Sequence, residues 1–372
     1  MGKLSKKLQK IIDSLPEKMH IEKMIRGEKN NIKKHYPEYK DIVWTDEQKK
    51  KYDDFWSSAY GEVFPDKWHK WYQSANGIFN ERYFPEILLT TQLEPLWCPP
   101  DMRKVLANKS LLYTLYKGAK GVTLPASYVM NVNGLYFNGE DDLISEQDAV
   151  GEILKHGTAV LKPTGKTGSG KGVMVMEFKD GTDVNSGKKL KDILDIYGRD
   201  FVVQEKITPH PTISCIYPKS LNTIRTITYF ANGGIHHVPL AMRIGRGGKL
   251  VDNIHAGGLV IALEDDGRTC ERAFDWGNNI YYEHPDTKVK FKGLCIAGTQ
   301  KVIAAAKEAH KKIPQIGIAS WDFTVNDKEE PVLIELNLYN QSIWFPQIVS
   351  GKSAFGENME YILKVLKDNE KR

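Results

Sequence analysis

The spacing of hydrophobic and polar positions predicts a mainly helical region over the first hundred residues. Residues 3–60 are heavily charged, and the apolar positions of "KLSKKLQKIIDSL" recur at helical spacing. Residues 61–100 are aromatic and irregular, which predicts packed loops and short helices whose tryptophans and tyrosines form a core. A base-stacking surface is the alternative interpretation. Residues 101–118, "DMRKVLANKSLLYTLYKG", are predicted to form one helix ending near Gly118.

Strand patterns dominate the chain after residue 118. Asn133-Gly134 in "ASYVMNVNGLYF" is typical of a tight hairpin turn. Ser145, with Asp148 three residues later, predicts the cap of a helix over "DAVGEILKHG". Further helices are predicted around "GTQKVIAAAKEAHKK" and at "MEYILKVLKD". Because strands and helices mix without regular alternation, the pattern favours an α+β protein over a doubly wound parallel sheet.

The glycine-rich stretch "GKTGSGKG", residues 165–172, begins like the phosphate loop G-x-x-x-x-G-K-[ST] but has Gly172 in the last place. The flanking segments "TAVLKP" and "GVMVMEF" both have strand patterns, so the loop joins two strands and has no helix N-terminus to offer phosphates. Closely approaching glycine amides, with Lys166, Ser169 and Lys171, can still hold an anion. A surface hairpin with incidental lysines is the alternative.

Acidic residues occur in a strand pair near the C-terminus, "ASWDFTVNDKEEPVLIELNLYNQS". Glu335 and Asn337 are two positions apart on one strand and therefore project to the same face, where Asp322 can meet them across the hairpin. Carboxylate and amide oxygens suit Mg²⁺. The alternative is that each acid is only paired with a lysine or arginine. The glycine loop and this hairpin together favour a magnesium–nucleotide site.

Composition narrows the classes of function. The chain has 372 residues, enough for two or three domains, and a net charge of only +5, with no clustered basic region. We therefore expect no nucleic-acid partner. Four scattered cysteines argue against a disulfide framework or a zinc site. No apolar stretch is long enough to cross a membrane and no signal peptide is apparent, so a cytoplasmic protein is expected. The basic N-terminal helix could contact an anionic membrane or dock on its own domain.

Five segments in chain order resemble the ATP-grasp superfamily over about residues 105–350. They are "AVLKPTGKTGSGKGV", "VVQEKI", "SLNTIRTITYF", "LAMRIGRGG" and "WDF…IELN". "NTIRTITYF" and "VDNIHAGG" resemble most closely the sugar-transfer-associated members linked to surface-polysaccharide biosynthesis. The resemblance implies an α+β ATP-grasp fold that holds a nucleotide between two lobes. It also implies a helical N-terminal extension (1–100), a part bearing a glycine-loop lid (101–207) and a metal-binding catalytic part (208–372).

The resemblance also implies roles for individual residues. Arg225, Arg243 and Lys162 would act on the transferred phosphoryl group or the acyl phosphate. Asp322, Glu335 and Asn337 would hold Mg²⁺. The implied ATP-binding residues are Lys109, Lys162, Lys166, Gly168, Ser169, Gly170, Lys171, Gln204, Glu205, Lys206 and Ile207. The implied substrate-side residues are His210, Asn253 and His255.

The implied activity is that of an ATP- and Mg²⁺-dependent carboxylate–amine ligase, an enzyme that forms C–N bonds through an acyl phosphate. Its substrates would be small-molecule or glycan-linked carboxylates and amines, such as a sugar acid or an amino acid, used to modify a cell-surface polysaccharide or capsule. The glycine hairpin would close as a lid that excludes water. The alternatives are a phosphotransferase on the same fold and a noncatalytic nucleotide-binding protein.

Overall fold

A computed structural model describes residues 19, 22–30, 32–34, 36–165 and 172–370. Contacts divide the chain into two compact units, one of Met1–Cys98 with Ser342–Arg372 and one of Pro99–Gln341. The segment Ser342–Arg372, which we expected within the catalytic part 208–372, therefore groups with the N-terminal region. The division after residue 207 stays a prediction.

The first unit is helical wherever it has regular structure in the described residues. The helix Asp46–Ala59 begins with a reciprocal cap, in which Thr45 accepts a hydrogen bond from the Gln48 amide and Gln48 accepts one from the Thr45 amide. The helical segments are 22–30, 32–34, Pro37–Asp41 (3₁₀), Asp46–Ala59, Lys67–Asn76, Glu86–Leu88, Leu89–Leu93 (π), Glu94–Trp97, Trp344–Ser350, Gly356–Asn358 (3₁₀) and Met359–Glu370.

Aromatic side chains form the core of this unit. Trp56, Trp68 and Trp71 are buried, and Trp71 stacks on Trp344 with ring centroids 5.6 Å apart. The Gln347 amide group donates to the Phe84 carbonyl at 2.9 Å and accepts from the Phe84 amide at 2.7 Å. These contacts attach the helix Trp344–Ser350 to the N-terminal residues. Because the rings are buried, the interpretation of residues 61–100 as core is confirmed and the base-stacking alternative is wrong.

The second unit contains two antiparallel sheets. The first has the strand order β3-β2-β1-β7-β4-β5-β6 in the described chain. Its strands are β1 (Ser127–Val132), β2 (Leu135–Asn138), β3 (Leu143–Ile144), β4 (Thr158–Pro163), β5 (Met174–Lys179), β6 (Thr182–Asp183) and β7 (Phe201–Gln204). The helices Glu146–Leu154 and Leu190–Tyr197 contribute Ile153 and Leu194 to a core with Leu161 of β4.

The second sheet has the order β13-β12-β11-β10-β8-β14-β15, with β9 also paired to β8. Its strands are β8 (Thr223–Ala231), β9 (Gly234–His237), β10 (Leu240–Ile244), β11 (Leu259–Leu263), β12 (Thr269–Phe274), β13 (Ile280–Tyr281), β14 (Ile318–Val325) and β15 (Pro331–Asn337). The remaining helices of this unit are Pro100–Leu106, Ser110–Tyr116, Pro211–Ser214, Ile254–Ala256 (3₁₀) and Thr299–His310. The helix Thr299–His310 packs on β8 and β14.

Most predicted elements are confirmed. Asn133 (φ 53°) and Gly134 (φ 88°) form the turn between β1 and β2. Ser145 accepts a hydrogen bond from the Asp148 amide at 3.1 Å and caps its helix. The glycine stretch connects β4 to β5, which pair antiparallel, so it is not a P-loop. No helix among the described residues is both long and apolar enough to cross a membrane.

The single helix predicted over residues 101–118 is wrong. The chain forms two helices, Pro100–Leu106 and Ser110–Tyr116, which are separated at residues 107–109. The side chain of Asn108 accepts hydrogen bonds from the Ser110 amide at 3.0 Å and the Ser110 hydroxyl at 2.9 Å. Such local side-chain bonds compete with the helical backbone pattern, which accounts for the break.

Two exposed glycines of the second unit should respond oppositely to alanine. Gly151 lies within the helix Glu146–Leu154 with open space around its Cα, so Gly151→Ala should stabilise the protein by roughly 0.5–1 kcal/mol. Gly134 also has open space but needs a left-handed backbone, so Gly134→Ala should cost about 1–2 kcal/mol. Urea unfolding measures both changes. Shifts in the same direction would contradict this assignment of the turn.

Candidate active site

A cavity of about 630 Å³ in the second unit is lined by both sheets and their connections. Its size lies within the range of small-molecule sites. Twelve predicted site residues line it: Lys109, Lys162, Gln204, Glu205, Lys206, Ile207, Arg225, Arg243, Asn253, Asp322, Glu335 and Asn337. The structure thus brings together residues that are more than two hundred positions apart in the sequence.

Asp322 is the centre of a buried charge network in this cavity. On β14 it lies directly opposite Arg225 of β8 and Glu335 of β15. Arg225 Nε donates to Asp322 Oδ1 at 2.6 Å, and Arg243 Nη2 lies 3.0 Å from Oδ2. Asn337 Nδ2 donates to the same Oδ2 at 3.0 Å. Because the Asp322 side chain is only 1% exposed, these partners are what make an ionised carboxylate tolerable there.

Two opposing effects act on the pKa of Asp322. Burial by itself would raise the pKa of the Asp322 carboxyl, but the Arg225 and Arg243 guanidinium groups outweigh burial and hold the pKa below its ordinary value. Asp322 therefore stays ionised at neutral pH.

The two arginines differ in how fully their donors are used. Arg225 donates to Asp322 through Nε and Nη2 and to the Ser320 hydroxyl through Nη1, at 3.0 Å. Arg243 donates through Nε and Nη2 to the Thr223 hydroxyl, at 3.0 and 2.8 Å. Arg243 Nη1 makes no hydrogen bond to the described residues. Arg243 is therefore the arginine with donor capacity left for a ligand, and Arg225 mainly positions Asp322.

Two lysines also line the cavity. Lys109 lies in the break between the helices Pro100–Leu106 and Ser110–Tyr116, and its Nζ is 3.1 Å from Glu335 Oε1. Burial lowers the pKa of Lys162, on β4, to about 8; Glu335 opposes this shift and Lys109 adds to it. A half-buried cation with no carboxylate at hydrogen-bond distance among the described residues is a natural site for an anionic ligand.

The segment after β7 has the hydrogen-bonding pattern expected for a nucleotide base. The Glu205 amide donates to the Ala126 carbonyl at 2.8 Å, and Glu205 Oε2 accepts from the Ala126 amide at 3.2 Å. These bonds fix Glu205 beside Ala126. Within the described chain, the Glu205 carbonyl and the Ile207 amide make no hydrogen bond, so an acceptor and a donor two residues apart stay open at the cavity.

The predicted substrate-side residues are only partly in place. Asn253 lines the cavity, with its Oδ1 accepting from the His255 amide at 2.8 Å. His210 caps the helix Pro211–Ser214 through its Nδ1, and the His255 ring packs on Trp276 with centroids 4.1 Å apart. Neither histidine is among the lining residues. The predicted Lys166, Gly168, Ser169, Gly170 and Lys171 lie outside the described residues.

Sequence reasoning missed Thr223 and Asp252, which both line the cavity. Thr223 is two positions before Arg225 on β8, so the same-face rule that grouped Glu335 with Asn337 could have found it. Asp252 directly precedes Asn253, but nothing in the sequence distinguishes it from other loop acids.

The oxygen donors at Asp322 fit a small hard cation. Among the described residues, no group of three or more His, Cys, Asp and Glu side chains could hold a metal, and the Mg²⁺ ligands Asp322, Glu335 and Asn337 stay a prediction. Asn337 gives its amide NH₂ to Asp322, which leaves its Oδ1 for a ligand. Mg²⁺ usually takes one or two carboxylates and completes its shell with phosphate and water, which matches Glu335 and Asn337 with Asp322 behind them.

Comparison with known proteins gives the family. The sequence model described as "Sugar-transfer associated ATP-grasp" matches residues 88–362. The chain belongs to this family. The predicted family and its α+β fold are thereby confirmed, with a helical N-terminal region. No curated protein matches the chain.

Solved ATP-grasp enzymes resemble this member of the family distantly. An N5-carboxyaminoimidazole ribonucleotide synthetase bound to ADP is 16% identical with a TM-score of 0.37, covering 63% of this chain and 46% of its own. D-alanine–D-alanine ligase from Bacillus anthracis is 13% identical (TM-score 0.39; 71% and 68% covered). VanG D-Ala:D-Ser ligase from Enterococcus faecalis is 14% identical (TM-score 0.41; 70% and 61%). The chain spans less than half of the first of these proteins.

Neutralising Asp322 should destabilise the protein more than neutralising Glu335. Asp322→Asn leaves buried Arg225 without its counter-charge and leaves Arg243 with only the more distant Asp252, and we expect a cost of about 3–5 kcal/mol. Glu335→Gln breaks a partly exposed pair with Lys109 and should cost less than about 1 kcal/mol. Urea unfolding of both variants measures the difference. Equal midpoints would show that Asp322 does not hold the network together.

Proposed function

We propose that this protein is an ATP- and Mg²⁺-dependent carboxylate–amine ligase. One observation carries the proposal: a single cavity combines the Arg225–Asp322–Arg243 network, two lysines and an unbonded Glu205 carbonyl and Ile207 amide. The charge network and the lysines are complementary to the phosphates of a nucleotide, and the carbonyl and the amide are complementary to its base. Membership of the ATP-grasp family supports the same conclusion.

The base of ATP would pair with the Glu205 carbonyl and the Ile207 amide. Apolar side chains at the same cavity, those of Val160, Val175 and Ile334, suit the faces of a flat ring. Lys162 and Lys109 would then hold the phosphates.

Glu335 and Asn337, with Asp322, would hold Mg²⁺, which when bound neutralises phosphate charge. Arg243, through its remaining Nη1, would neutralise the transferred phosphoryl group. Arg225 and Asn337 keep Asp322 in place, so the charges are fixed before substrate arrives. Such fixed charges stabilise a transition state without reorganisation, which is how positioning alone can speed the reaction.

In the proposed reaction a carboxylate attacks the γ-phosphorus of ATP and becomes an acyl phosphate, releasing ADP. An amine then attacks the acyl carbon, the C–O bond to phosphate breaks and an amide remains. The substrate would be a sugar acid or an amino acid, used in the cytoplasm to modify a cell-surface polysaccharide. The family description, which refers to sugar transfer, supports only the link to sugars. Membrane contact through the helix expected at residues 3–15 stays a prediction, because that segment lies outside the described residues.

A substrate screen with defined variants tests the proposal. ADP release is measured with glucuronate, galacturonate, D-alanine or L-glutamate against ammonium, ethanolamine or glucosamine, and each product is weighed by mass spectrometry. An amide mass indicates a ligase, whereas an added phosphate indicates a kinase. Glu335→Gln and Lys162→Ala should reduce turnover at least about 10²-fold.

The matched controls are Asp327→Asn and Lys328→Ala, which likewise neutralise an acid and remove a lysine, but in the exposed β14–β15 turn. They should leave turnover and melting temperature unchanged. Full activity in folded Glu335→Gln and Lys162→Ala variants would contradict the site assignment.

Nucleotide affinity should depend on pH through Lys162. Below a pH of about 8 the ammonium form that binds phosphate is already present in the free protein. As the pH rises through about 8 the free protein loses this proton and binding must take it up again, so affinity should fall by up to about tenfold per pH unit. Calorimetric titration with ATP in excess EDTA measures this decline.

The matched variant is Lys162→Arg, whose guanidinium keeps its charge over this range and should remove the decline. A wild-type affinity that does not change with pH would contradict the assignment of Lys162 to the phosphates.

A further inference from the structure

Asp252 lies in the cavity beside Arg243, on the loop between β10 and β11. The Thr223 hydroxyl donates to Asp252 Oδ2 at 2.6 Å and accepts both hydrogen bonds from Arg243. Arg243 Nη2 is 3.6 Å from Asp252 Oδ1. Thr223 and Arg243 are directly opposite each other in the β8–β10 pair. One hydroxyl on a rigid sheet therefore holds a cation and an anion side by side.

The loop that carries Asp252 is anchored at both ends. Arg246 Nε donates to the Gly257 carbonyl at 2.5 Å, and Arg246 Nη2 lies 3.1 Å from Asp275 Oδ2. A Cβ on Gly258 would lie 2.5 Å from the Asp252 carbonyl, so the chain packs on itself there. The position of the Asp252 carboxylate is therefore set by the fold.

Among the acids of the cavity, Asp252 is the one with a carboxylate oxygen still available to a ligand. The described acids that line the cavity are Glu177, Glu205, Asp252, Asp322 and Glu335. Asp322 is paired with two arginines and Glu335 with Lys109. Glu205 is bonded to Ala126 at the base end, and Glu177 is exposed on β5. The Asp252 side chain is 13% exposed, and within the described chain its Oδ1 has only the distant Arg243 contact.

We infer that Asp252 binds the ammonium group of the amine substrate and accepts its proton. This inference rests on the proposed ligase function and names the residue for its second half-reaction. An aliphatic amine is protonated near neutral pH and has no lone pair with which to attack. A carboxylate beside Arg243 would hold that ammonium next to the acyl phosphate, because Arg243 holds the phosphoryl group.

The proton balance is complete. One proton passes from the ammonium nitrogen to Asp252 as the freed lone pair forms the C–N bond. The C–O bond to phosphate then breaks, with its electron pair leaving on phosphate, which takes the second proton from nitrogen. Asp252 returns its proton to solvent after the amide leaves. No oxidant, reductant or additional reactant is needed.

Two nucleophiles of similar size but different charge test the role of Asp252. Hydroxylamine is mostly uncharged near neutral pH, whereas ammonia is present mostly as the ammonium ion. With a carboxylate from the screen, wild-type protein should form a hydroxamate with the first and an amide with the second. Asp252→Asn keeps an acceptor for Thr223 but loses the charge. It should lower kcat/KM for ammonium by about 10²–10⁴-fold and leave hydroxamate formation nearly unchanged.

Asp327→Asn serves as the control, since it removes an exposed acid outside the cavity, and melting curves confirm that both variants fold. Equal loss with both nucleophiles, or no loss with ammonium, would overturn the inference and leave the ligase proposal standing. Wild-type protein that uses hydroxylamine but not ammonium would also overturn it. The absence of hydroxamate and of ADP release with every carboxylate would overturn the ligase proposal and this inference with it.

Discussion

The geometry of the candidate site depends on one buried carboxylate held between two guanidinium groups. Asp322 joins β14 to Arg225 of β8 and to Arg243 of β10, so three strands carry one charge network. Removing water from these charges is costly, and the cost is offset only while all three partners are present. The register of the central strands is therefore fixed by ion pairs as well as by backbone hydrogen bonds. This register also fixes where the side chains on these strands lie in the cavity.

The rest of the cavity can be understood as additions to this fixed centre. Asn337 reaches Asp322 from β15, and Thr223 extends the network from Arg243 to Asp252. Lys162 comes from the first sheet and is not tied to any carboxylate at hydrogen-bond distance in the described residues. On the second sheet, the charges of Arg225 and Arg243 are thus paired with that of Asp322. On the first sheet, Lys162 is a cation that an anionic ligand can still neutralise.

Local patterns in the sequence predicted much of this arrangement, and long-range pairing did not follow from them. The alternation of Val332–Leu338 and the polar turn before it were enough to predict that Glu335 meets Asp322, because both lie in one hairpin. The Arg225–Asp322 pair is 97 positions apart, and only the sheet order reveals it. The helix break at Asn108 was missed because the apolar pattern favoured a continuous helix, whereas the Asn108 side chain binds the Ser110 amide and interrupts it. Asp252 was missed because its significance comes entirely from Thr223 and Arg243.

The grouping of Ser342–Arg372 with Met1–Cys98 has a consequence for biosynthesis. The second unit is an insertion in the first, so the aromatic core around Trp71 stays incomplete until Trp344 and Gln347 have been translated. At ordinary rates of translation the intervening chain takes on the order of tens of seconds to make. The residues up to Cys98 are thus made before the second unit, but their aromatic core can close only after the helix Trp344–Ser350 has been translated.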